Sequence, residues 1–208
     1  MPLRATVACL VAATLVLAPA GAEAKPKRTC KASGSRTIAQ NGFARVYEAR
    51  TEEGTALVGC VKASGRRRVL GEAYDDDYVS SADYANVRLA GRHVAWSWTE
   101  TDISCKAACP PDYDTTTEGI VSYDLRRRKA RGVAGAIPVD RALVLSRNGG
   151  LAWASRTDPT GPVEIHASVR GDESVVLDSG NIDPASLAIE ITIISWLHDG
   201  AERFARLR

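Results

Sequence analysis

Histidine is scarce in this chain: three occur in 208 residues. They stand apart at positions 93, 166 and 198, and no two cysteines have the CxxC spacing that builds zinc or redox sites. Neither a GxSxG elbow nor an HExxH segment occurs, so the common signatures of serine and zinc hydrolases are missing. No segment keeps an apolar period of 3.6 with capping residues, which excludes a helical core. An excess of one charge is lacking too: 27 Lys and Arg against 25 Asp and Glu leave a net charge of +2, which names no partner. What remains is an ordinary apolar content of 45% in a chain long enough to bury the core of a single domain.

The amino end reads as an export signal. Residues 1–24 place Arg4 before an apolar run, Ala5 to Ala18, followed by Ala22-Glu23-Ala24, which fits the small-residue rule for cleavage. The run is short for a membrane anchor, so no span is expected after cleavage. A secreted or cell-envelope location follows, and with it an oxidising compartment. Four cysteines then remain, Cys30, Cys60, Cys105 and Cys109, for which disulfides are the default use and zinc the alternative. Three pairings are open; proximity favours Cys105 with Cys109 and, by elimination, Cys30 with Cys60.

One pattern appears four times. Thr37 to Arg50 (TIAQNGFARVYEAR), Val87 to Glu100 (VRLAGRHVAWSWTE), Leu143 to Arg156 (LVLSRNGGLAWASR) and Leu187 to Gly200 (LAIEITIISWLHDG) share an apolar strand, a short turn usually built from Gly or Asn, and an alternating strand that ends on Tyr or Trp. Each predicts a β-hairpin. Two further strand-like runs follow each hairpin except the last, which has only Glu202 to Leu207. The expected fold is all-β: four repeats of four-stranded antiparallel meanders, near 36–72, 86–135, 141–180 and 185–208, together forming one domain over 25–208. The tail Arg28 to Ser33 is the available strand to complete the last repeat, with Cys30 tying that closure to Cys60 in the first.

Four-stranded units at this period resemble the blades of TolB-like and WD-like β-propellers, and of uncharacterised secreted bacterial proteins with the same short repeat. The resemblance covers nearly the whole mature chain. It implies a small or incomplete propeller whose apolar first strands line the axis, and it leaves open a homodimer that completes the ring.

Successive turns of a meander alternate between its two ends, and this sorts the charges. Arg66, Arg67, Arg68, Arg92, Arg126, Arg127, Arg128, Lys129, Arg131, Arg147 and Arg170 are expected at one end. The opposite end is expected to be acidic and to carry two long insertions, Ala73 to Ala85 and Thr101 to Gly119. These supply the candidate ligand-binding residues Tyr74, Tyr78, Asp83, Tyr84, Asp112, Tyr113 and Asp114, because long loops on a rigid scaffold are where binding sites are built. Asp75, Asp76 and Asp77 offer hard oxygen ligands and make calcium the one candidate metal, although the run lacks the spacing and central Gly of an EF-hand. No other cofactor is expected. The basic turns have almost no interleaved aromatics, so no nucleic acid is expected. His198, on the acidic side, is the one histidine placed where an active site would lie. The functional expectation is an exported, non-catalytic binding or interaction module whose partner is a protein or an envelope polymer. The alternative is a secreted carbohydrate hydrolase using carboxylates of the same face.

Overall fold

The computed structural model describes residues 29–76, 80–102, 116–135, 137–158, 160–168 and 173–207. The export signal, Asp77, Tyr78, Cys105, Cys109, Asp112, Tyr113, Asp114 and Arg170 lie outside these residues.

The chain is all-β and antiparallel. The first meander is β1 (Arg36–Gln40), β2 (Ala44–Arg50), β3 (Gly54–Val61) and β4 (Arg66–Asp76); the second is β5 (Ser80–Ala90), β6 (His93–Asp102), β7 (Thr116–Asp124) and β8 (Lys129–Ala134). The third comprises β9 (Leu143–Leu145), β10 (Leu151–Ser155), β11 (Val163–Ser168) and β12 (Val175–Gly180), and the fourth β13 (Ile182–Glu190), β14 (Ile193–His198) and β15 (Ala201–Arg206). All four hairpins therefore form where the repeat predicts them, and the last meander has three strands among the described residues. β1 to β8 make one continuous sheet, and the other two meanders are separate sheets.

Two expectations are corrected. Ala73 to Ala85 is not a loop: most of it is strand, because Tyr74, Asp75 and Asp76 pair with Ala82, Ser81 and Ser80, while Ser80 to Ala85 also pair with β6. Bonding on both edges satisfies the backbone of a segment too polar to be recognised as strand. Nor does the tail add a strand to the last meander. Cys30 is joined to Cys60 on β3, Arg45 donates to the Cys30 carbonyl, and Arg67 donates to the carbonyls of Thr29 and Lys31. These bonds hold the tail against the first meander, and β15 pairs only with β14 among the described residues.

The tyrosine or tryptophan that ends each hairpin explains the packing. A strand shows alternate residues to opposite faces, and here both faces of the second strand are buried. Trp96 packs back onto the first meander with Ala44, Val46 and Leu57, while its neighbour Ala95 packs forward onto Leu143, Leu151 and Trp153 of the third. Trp153 thus looks back at the second meander, and Ala152 and Ala154 look forward to a cluster holding Trp196 of the fourth. The meanders stack like pages, large residue backward and small residue forward. Tyr47 is the equivalent residue of the first meander, and what lies behind it is the tail, with Cys30 and Ala32 packed on the cluster of Tyr47, Ala56, Val58 and Cys60. At the far end of the stack Ile193 and Phe204 are exposed.

Candidate functional site

At the hairpin-turn end, polar side chains tie one meander to the next. Asn41 uses its carbonyl oxygen to accept from the backbone N–H groups of Phe43 and Ala44, which shapes its own turn, and its amide donates to the Gly91 carbonyl in the next hairpin at 2.9 Å. His93 repeats the link one meander on, with Nδ1 donating to the Arg147 carbonyl at 3.0 Å. Gly149 makes that approach possible: its φ is +87°, and a Cβ there would stand 2.9 Å from the imidazole ring.

Asp124 is the acid at this end. Its nearly buried carboxylate accepts from the backbone N–H groups of Arg126 and Arg127 and stands 3.1 Å from Arg92 Nε and 3.4 Å from His93 Nε2. Burial pushes this carboxyl up, but the N–H bonds from Arg127 and Arg126 and the Arg92 charge outweigh it, and the net shift is downward. Burial lowers the His93 value, with Asp124 opposing. A depressed carboxyl stabilises the fold above about pH 4 and loses that contribution as pH falls through the folded value. Asp124→Asn should therefore cost about 2 kcal/mol near neutrality, and the deficit should close in acid. Urea unfolding across the acid range measures this, and a deficit independent of pH would refute it.

The arginine turns share this end. Arg66, Arg67 and Arg68 from the β3–β4 turn and Arg126 and Arg128 from the β7–β8 turn line one cavity of about 500 Å³, floored by Phe43, Val61, Tyr123 and Leu125.

At the opposite end the extended β4–β5 ribbon borders a shallow concavity of about 490 Å³. Tyr74, Asp75 and Asp83 line it, with Glu53, Thr99 and Thr101. Register separates the tyrosines from the acids: Tyr74 lies across from Ala82, and Tyr84 across from Trp98, on one face, whereas Asp75, Ser81 and Asp83 lie on the other. Asp75 and Asp83 are exposed. Tyr84 is partly buried, its hydroxyl 3.3 Å from Thr55 Oγ1, and burial raises its pKa. It packs with the core between the first two meanders and braces the ribbon. Asp76 pairs with Ser80 through the backbone. Among the described residues no group of three or more His, Cys, Asp or Glu is placed to hold a metal ion.

His198 meets a different partner from those expected at its end. Its Nδ1 lies 2.8 Å from Asp178 Oδ2, which also accepts from Trp196 Nε1 at 2.7 Å. Burial raises the Asp178 carboxyl, but bonds from His198, Trp196 and the Ser179 N–H turn the net shift downward. This cluster joins β12 to β14 across two sheets. Nothing local in the sequence announces it, whereas Asp124, two and three residues before the amides it caps, carries the ordinary mark of an Asp-initiated turn.

No model of a known family matches the chain, and no curated protein is similar to it above the level of chance. No helix among the described residues is long and apolar enough to cross a membrane.

Proposed function

We propose that the protein is an exported, non-catalytic binding module whose meanders form an open, propeller-like arc, and whose contact site lies on the acidic ribbon of β4 and β5. The observation that carries this is the concavity at that ribbon, lined by Tyr74, Asp75 and Asp83, where paired strands turn the two exposed carboxylates to one face and the half-buried tyrosine to the other. Aromatic surface on a scaffold that is already ordered loses little entropy on binding. Support for the arc comes from the first strands, which touch in succession, β1 with β5, β5 with β9 and β9 with β13, and from the tail standing behind Tyr47 where another meander would stack. The disulfide between Cys30 and Cys60 supports export. The partner is a protein or a polymer of the cell envelope, recognised by a tyrosine and acidic surface.

The test is a panel of purified envelope polymers and peptides assayed by surface plasmon resonance against the mature protein and the variant Tyr74→Ala/Asp83→Asn. Loss of a central aromatic contact typically weakens binding about tenfold or more. Unchanged affinity of the variant for every ligand that the parent binds would sink the assignment, and release of sugar from a polymer would replace it with the hydrolase.

A further inference from the structure

The cavity between the first two meanders lies at the end opposite that ribbon, and among the described residues four of its arginines pair with no carboxylate. Arg66 and Arg68 stand on β4 across from Val61 and Gly59; Arg126 and Arg128 belong to the turn after β7. Among the described residues no carboxylate pairs with any of the four side chains: Asp124, the acid beside them, has its second oxygen on Arg92, His93 and Arg127. The two turns are distant in sequence and are brought together by the stacking of their sheets. Solvated arginines normally diverge into water. These four are exposed but line one concave wall, where their like charges repel unless an anion occupies the space between them.

Apolar side chains line the cavity beside the arginines. Phe43, Tyr123 and Leu125 make the floor. Gly59 keeps it open, since a Cβ there would stand 2.6 Å from Leu125 Cδ2. One turn residue is held in an unusual backbone: Arg128 has φ +57°, and its N–H donates to the Asp124 carbonyl at 2.7 Å. A left-handed conformation at a residue with a long side chain has an energetic cost, and here it accompanies a guanidinium that lines the cavity.

We propose that this cleft is an anion-binding site for a phosphate ester, the charged group held among Arg66, Arg68, Arg126 and Arg128 and the body of the ligand resting on Phe43 and Tyr123. Guanidinium forks match the paired oxygens of a tetrahedral oxyanion, and two pairs of them suit a group that carries more than one negative charge. An aromatic floor suits a ring or an acyl stem next to that group. The ester is carried either on a soluble molecule or on the headgroup of a lipid; the recognising chemistry is the same.

The experiment uses the mature protein and two charge-matched variants, Arg66→Gln/Arg126→Gln in the cleft and Arg156→Gln/Arg203→Gln outside it. Pyrophosphate binding is measured by calorimetry at physiological salt, and co-sedimentation is measured with phosphatidylcholine vesicles with and without phosphatidic acid. The cleft variant is expected to bind its probe about tenfold more weakly or worse, because it loses two charge-assisted contacts, while the other variant stays within about twofold. Pyrophosphate binding assigns recognition of a phosphate group on a soluble molecule, and binding of only the phosphatidic acid vesicles assigns a lipid headgroup. A second reading is independent of affinity: phosphate should raise the melting temperature of the parent but not of the cleft variant, which should melt slightly higher than the parent in the absence of anion. Equal losses in both variants would reduce the effect to net charge and overturn the site. So would the absence of binding to either probe, or binding to a DNA oligonucleotide that pyrophosphate does not displace.

Discussion

Replacing Trp153 by alanine is expected to cost about 4 kcal/mol, in the range usual for removing a large buried aromatic side chain. Trp153 is 1% exposed and sits on the seam where β10 of the third meander meets Ala95 and Ile120 of the second. Its ring also stacks on His166 across the strand pair, with centroids 5.4 Å apart. The loss should therefore uncouple the eight-stranded sheet from the rest, so that urea unfolding broadens or divides into two steps. Trp153→Phe should lose less than about 1.5 kcal/mol, because the buried indole N–H has no partner among the described residues and gives up no hydrogen bond to them. A cost below about 1 kcal/mol for the alanine variant would show that the seam does not depend on this residue.

Removing the disulfide with Cys30→Ser/Cys60→Ser should cost about 3 kcal/mol, as the loop-entropy account gives for a crosslink of this span; the two residues are 30 apart in sequence. The loss has a second source, since the tail covers Tyr47 and Val58, and its release wets that face. Guanidinium unfolding with and without reductant measures the first effect. Hydrogen exchange locates the second, with faster exchange expected in β2 and β3 and none in β13 to β15, because the tail lies on the first meander. Faster exchange in the last meander would restore the closure by the tail that the described contacts deny.

The hairpins were legible because their second strands alternate and the turns of the first three carry Asn or Gly, signals that need only local backbone preference. The end on which each arginine turn lies was legible too, since strand counting in a meander determines it. The polar stretch Ser80 to Asn86 was not, because its strand character comes from neighbours on both sides and not from its own residues. Stacking of one meander on the next is what turns Arg66 and Arg126 toward a single cavity, and no spacing within either turn encodes that approach. Period two also divides what proximity in sequence had joined: Tyr74 and Asp75 are adjacent residues and so belong to opposite faces of the ribbon. Asp124 escaped notice among four basic neighbours, although its turn chemistry was local.

Each ladder among the described residues joins strands that are neighbours in sequence. All-β proteins commonly fold slowly, because distant segments must find each other before any contact rewards the closure of a long loop. Here no strand waits for a partner further away than the next turn or insertion, and the Cys30–Cys60 crosslink joins the tail before β1 to β3. A chain that met its folding compartment amino end first could lay down each meander on the finished face of the one before it. Time of arrival and place in the stack would then be the same ordering, with each newly buried tryptophan marking the moment at which a meander docks.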